Sequence, residues 1–191
     1  MLRRCAAGLG HGARLGGLAL LLVLSGCGTL SSINPFSSKG EESAAACPTS
    51  TILRPLAQTA VFAKPGPGLR PTDVAIYGII SEIDAKCTNS AGTLRASLDV
   101  IIAAERGPAN KSGDVDLTYF LGVVGADQQI LSKKSFGVHI SIPQGARRAG
   151  VTDHIEETIP LNGQAIANVQ IVAGFQQSAD AVDFYEHFRG R

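Results

Sequence analysis

The chain has 191 residues, with 17 basic against 16 acidic side chains and a formal charge of +1. That balance lacks the basic footprint with which a protein neutralises phosphates, so nothing points to a nucleic-acid partner and none is expected. With no Trp and three Tyr, it also lacks the aromatic platforms of a sugar cleft, which disfavours glycan hydrolysis.

Arg3, Arg4 and Arg14 precede an apolar run, Leu15 to Leu24, and Ser25-Gly26 supply small side chains before Cys27. This is the order of a secretory signal peptide, and the run is about half of what crosses a bilayer core of roughly 30 Å. Leu24-Ser25-Gly26-Cys27 resembles the lipobox of bacterial lipoproteins. The resemblance implies cleavage after residue 26, a diacylglyceryl group on the Cys27 sulfur and an acylated new amino terminus, a membrane anchor of two or three chains. It also implies a cell-envelope location facing the periplasm. Gly28 after the cysteine favours the outer over the inner membrane. A plain signal peptide ending in cysteine and a buried apolar helix are the alternatives. Loss of residues 1–26 removes three arginines and changes +1 to −2.

Cys5 leaves with the signal and Cys27 carries lipid, so Cys47 and Cys87 remain as a pair. In an oxidising periplasm a disulfide is the simplest outcome, with two buried thiols as the alternative. Its loop would contribute roughly 4 kcal/mol on the chain-entropy model. No C-x-x-C suggests redox chemistry.

Residues 27–46, rich in Ser, Gly and Ala and containing Pro35, read as a tether reaching on the order of 25 Å. Order is expected from Cys47-Pro48. Thr51–Leu53 and Leu56–Phe62 suggest one interrupted edge strand, with Pro55 tolerated at the edge. Lys64-Pro65-Gly66-Pro67-Gly68 is a loop and not a phosphate cradle, because no Gly-Lys-Ser/Thr enters a helix. Asp73–Cys87 is apolar on both parities and reads as a central strand. Leu94 to Ile102 and Val115 to Val123 alternate with polar residues, as a half-buried strand does. Residues 136–142 predict another such strand. A polar segment, Pro143–Thr152, leads to a strand at Asp153–Ile159, and Ile166–Phe175 supplies the last.

Short strands at regular spacing with Gly/Pro turns predict a mainly β domain over 47–177, of seven or so strands. The expected architecture is an antiparallel sandwich of immunoglobulin or fibronectin-III type, with a small barrel as the alternative. Residues 178–191 predict a short C-terminal helix: Ser178 caps it, and Ala181, Val182, Tyr185 and Phe188 make its apolar stripe. So short a helix must dock on the sandwich or on a partner.

Cys47-Pro48, Cys87, Glu105-Arg106-Gly107-Pro108-Ala109, Tyr119-Phe120, Ile130-Leu131-Ser132-Lys133-Lys134, Ile159-Pro160-Leu161 and Gly174-Phe175-Gln176 together resemble a group of small bacterial lipoproteins, chiefly alphaproteobacterial. The resemblance supports the anchor and the disulfide and carries no catalytic residue with it.

No G-x-S-x-G elbow or H-E-x-x-H motif occurs, so neither catalytic residue nor metal ligand nor cofactor site is assigned. His154 beside Asp153 and near Glu156-Glu157 makes at most a weak divalent site, and a solvated charged run is the plainer reading. Lys133-Lys134 and Arg147-Arg148, with Arg106 and Lys111, would either meet an anionic surface or keep strand edges soluble. The sequence therefore points to a non-enzymatic, lipid-anchored module that meets the membrane through Cys27 and binds an envelope protein in an assembly or scaffold role. A small-ligand or lipid binder, with a cavity between the sheets or under the helix, is the alternative.

Overall fold

The computed structural model describes residues 43–90 and 93–188. Cys27, the signal segment and most of the tether lie outside them. The described residues form nine strands and one α-helix: β1 (Ser43–Ala45), β2 (Thr49–Ile52), β3 (Gln58–Phe62), β4 (Val74–Ser90), β5 (Thr93–Arg106), β6 (Asp114–Val124), β7 (Ile130–Ser141), β8 (Arg148–Ile159), β9 (Gln170–Phe175) and α1 (Ala179–Phe188).

The architecture is the expected mainly β sandwich with a short terminal helix. In the first sheet β4 pairs with β5 and β5 with β8, while β1 and β3 share the free edge of β4, one at each end. The second sheet runs β2-β9-β6-β7. The first sheet holds the consecutive antiparallel pairs β3–β4 and β4–β5 and the second the hairpin β6–β7, while β8 and β9 each enter their sheet from a chain that crosses over from the other. All pairs are antiparallel except β2 with β9.

The cleanest alternation in the sequence gives the cleanest strand. Leu94, Ala96, Leu98, Val100, Ile102 and Ala104 of β5 are all buried, and each residue between them is partly or fully exposed. They meet Leu117, Tyr119, Ile140, Ile171 and Phe175 from the second sheet in one continuous core. Cys47 and Cys87 are bonded, S–S 2.09 Å, across a separation of 40 residues. The link lies where the chain passes from β1 in one sheet to β2 in the other, and ties that crossing to β4.

Five boundaries differ from expectation. The interrupted edge strand over 51–62 is two strands in different sheets, because Arg54-Pro55-Leu56 forms a single 3₁₀ turn between them; Pro55 fits the start of such a turn, where its missing N–H is not needed. The strand expected at 153–159 begins at Arg148, where small inward residues, Ala149 and Val151, pair with Ala104 and Ile102. The strand over 136–142 begins at Ile130, with Ser132 and Lys134 facing inward at the sheet edge. Residues 166–168 form a 3₁₀ turn before β9. The tether's last residues, Ser43–Ala45, already pair with Cys87–Asn89.

The helix begins where expected: the Ser178 hydroxyl accepts from the Ala181 N–H at 3.2 Å. It docks in cis, on the outer face of the first sheet over β3. Its buried residues are Ala181 and Phe184, and Phe184 packs with Ala60, Val74, Phe62 and Phe188. Val182, expected in the stripe, is 42% exposed. Ring size settles the rotation of the helix, since Phe184 buries more apolar area than Val182 could.

Candidate functional site

Two rows of cross-strand neighbours on the outer face of the first sheet build a groove beside α1. Gln58, Ile79 and Ala103 lie opposite one another on β3, β4 and β5; Ala60, Tyr77, Glu105 and Arg148 make the next row out to β8. Tyr185 of α1 stands at one side, and the space enclosed is about 230 Å³. Ile79, which the sequence reading placed in a central strand apolar on both parities, is 36% exposed on the floor. The second apolar parity of β4 thus lines a surface groove and the seat of a helix.

The wall opposite the tyrosines is ionic. Glu105 accepts from Arg148 Nη2 at 2.7 Å and from Arg147 Nη2 at 3.0 Å. The Arg148 hydrogen bond, with the charge of both guanidinium groups, holds the Glu105 carboxyl below the usual glutamate range against an opposing contribution from burial. Burial, followed by the negative charge of Glu105, pushes the Tyr77 hydroxyl up. At neutral pH Glu105 is therefore an ionised acceptor and Tyr77 a neutral donor. Tyrosine and arginine around an apolar floor are the side chains that anchor protein interfaces.

The basic pairs expected to act alike are separated. Arg147 and Arg148 belong to the groove. Lys134 reaches inward and is bonded to Glu157 of β8 at 2.6 Å, closing the seam between the sheets. Beside it the buried Tyr119 hydroxyl donates to Asp153 at 2.7 Å. Inward charges on two edge strands are what keeps such edges from pairing with other chains. Lys133 lies over the Phe120 ring, 4.4 Å from its centroid, on the outer face of the second sheet. Arg106 is consumed by the fold, bonding the carbonyls of Ala146, Ser112, Ile142 and Pro143 and the Asn110 side chain. Lys111 is exposed in the loop after β5.

The acidic run near His154 does not converge. Strand alternation sends Asp153 and Glu157 inward to Tyr119 and Lys134, while His154 turns outward to Asp99 at 2.6 Å. Among the described residues no group of three or more His, Cys, Asp or Glu is placed to hold a metal ion. The space between the sheets near Lys134 is about 20 Å³, room for about one water molecule. A further depression of about 380 Å³ lies on the outer face of the second sheet. No described helix is long and apolar enough to cross a membrane.

The groove had no signal within any one segment, since its residues come from β3, β4, β5, β8 and α1. Its one legible hint is Arg147-Arg148 entering a strand whose register sets Glu105 opposite Arg148. Comparison with protein-family models, curated proteins and solved structures finds no match.

Proposed function

We propose that this chain is a lipid-anchored, non-enzymatic module of the cell envelope, acylated at Cys27 and facing the periplasm from the outer membrane, that binds another envelope protein. The resemblance of Leu24-Ser25-Gly26-Cys27 to a lipobox supports the anchor. The observation that carries the binding role is the groove of Tyr77, Ile79, Tyr185, Glu105 and Arg148. It is open, amphipathic and lies toward the pole opposite Ser43, where the described chain begins. A protein side chain with an apolar anchor and a neighbouring carboxylate suits it: the tyrosines and Ile79 take the former, the two guanidinium groups the latter.

A photocrosslinking amino acid placed at Ile79 in cells, with Ser135 on the opposite face as control, tests this. The expected product is an adduct with one envelope protein that disappears when Tyr185→Ala and Arg148→Glu are added. Adducts no stronger than those from Ser135 would overturn the reading. Native mass spectrometry of the purified chain would then decide for the small-ligand alternative if a bound molecule is seen.

A further inference from the structure

The chain has a near pole and a far pole. Ser43 pairs with Asn89, Cys87 with Ala45, Thr49 with Gln170, and Gln170 with Val124, which pairs in turn with Ile130. The point where the described chain begins, the disulfide and the β6–β7 connection therefore share one end of the sandwich. At that end the outer face of the second sheet carries a depression of about 380 Å³ floored by Phe120, Gly122 and Val172 and rimmed by Leu53, Val124 and Ile130. Ile130 is 69% exposed, more than any other large apolar side chain of the described residues. Lys133 holds its ammonium at the edge of the same patch. At the opposite end of this face lie Asp114 and Asp116, with His139 and Ser141 bonded to them.

We propose that this near pole rests on an anionic phospholipid surface, Ile130 and its apolar neighbours entering the headgroup boundary and Lys133 meeting phosphate. The proposal rests on the reading of Cys27 as the lipid anchor. Fifteen residues, 28–42, lie between Cys27 and Ser43, and their Ser-, Gly- and Ala-rich composition is that of a flexible linker, which at that length has a typical span of about 19 to 23 Å. The 14 residues of β5 are about 46 Å long. A linker of that typical span is shorter than the domain, so the end that it enters is the end kept nearer the bilayer. An apolar patch with a lysine at its rim is the chemistry of the interface, where the stem can lie in the acyl boundary and the ammonium among the headgroups. The acidic far end of the face is repelled by an anionic leaflet, which fixes the same orientation. The groove beside α1 is then turned away from the membrane.

The chain contains no Trp, so Ile130→Trp introduces a single reporter at an exposed position. The full lipidated chain carrying it is reconstituted on vesicles of phosphatidylethanolamine and phosphatidylglycerol, with Lys64→Trp at the far pole as a second sample. Blue-shifted emission and quenching by brominated lipid are expected for Ile130→Trp, with water-like emission for Lys64→Trp. Lys133→Gln should lower the ratio of docked to undocked chains about fivefold, the effect of one cation near an anionic surface. Replacing phosphatidylglycerol by phosphatidylcholine should weaken the signal in the same sense. Water-like emission from Ile130→Trp in the lipidated chain would overturn the proposal, as would a blue shift that grows with protein concentration without vesicles, which assigns the patch to a second copy. The mass of the Cys27 peptide reads the anchor separately. Lipid on Cys27 with no blue shift removes the docking and leaves the anchor; a vesicle-dependent shift with unmodified Cys27 supports the docking and removes the anchor.

Discussion

At the scale of single residues, two polar side chains hold what the apolar core does not. Tyr119 is fully buried, yet its hydroxyl reaches Asp153 at 2.7 Å in the seam between β7 and β8. Burial, reinforced by the hydrogen bond to Asp153 and by its charge, pushes the phenol far above its ordinary value. Unfolded, a tyrosine gives up its proton near pH 10. The folded chain retains that proton at higher pH, so the contribution of Tyr119 is whole below about pH 10 and falls as pH rises beyond it. The urea midpoint of the wild-type chain should therefore drop on passing pH 10, and Tyr119→Phe should drop less steeply. At neutral pH the same variant should lose about 1 to 3 kcal/mol, since Asp153 keeps its half-buried position without its donor. Equal slopes for the two chains would show that Tyr119 does not hold its proton. Arg106 ties the loop after β5 to the one before β8 through Ser112, Ile142 and Ala146 at 2.9, 2.8 and 3.0 Å. A lysine supplies one charge but no fork, so Arg106→Lys should lower Tm by on the order of 5 °C. Differential scanning calorimetry reads it directly.

At the scale of elements, α1 is the clearest case of a segment that exists because of what it covers. Ten residues make a marginal helix in water. Phe184, 5% exposed against Ala60 and Val74, supplies most of its attachment. Truncating a buried Phe removes roughly 3 to 5 kcal/mol, more than so small an element has in reserve, so Phe184→Ala should release the helix and leave the sandwich folded. Hydrogen exchange should quicken over 179–188 while amides of β5 and β6 stay protected. A uniform quickening would mean that the helix is integral to the global fold. The same helix shows where the sequence was legible. Ser178 and the apolar spacing predicted the element, but the choice between Phe184 and Val182 depended on the ring slot formed by Phe62 and Val74, which no local pattern contains. β5 could be read because every inward position is apolar. β7 and β8 could be read only in part, because Ser132, Lys134, Asp153 and Glu157 face inward there and break the alternation. Those residues close a seam instead of filling a core. The groove was the least legible feature, since Tyr77, Glu105 and Arg148 are neighbours only through strand register.

At the scale of the whole molecule, the two sheets are joined at the near pole by a covalent link whose position follows from where the chain enters. β1 has only three residues paired to β4, and a load applied from the amino-terminal side meets that short ladder first. Cys47 comes two residues after it and bonds to Cys87 in β4, the strand that also pairs with β3 and β5. Force that peels β1 therefore stops at the disulfide and passes into the centre of the first sheet. Without the bond it continues into β2, four residues held parallel to β9, and opens the second sheet at the edge beside Leu53 and Val172. Replacing both cysteines by serine should lower the unfolding free energy by roughly 4 kcal/mol, the chain entropy of a loop of 40 residues. That is a large part of the 5 to 15 kcal/mol of a typical domain. Amides of β1 and β2 should exchange first, ahead of β5 and β6. If the serine variant lost stability evenly across both sheets, the bond would act only on the unfolded ensemble. If protection is lost first along β1 and β2, the link also serves as the stop that isolates the sandwich from a load on the chain before it.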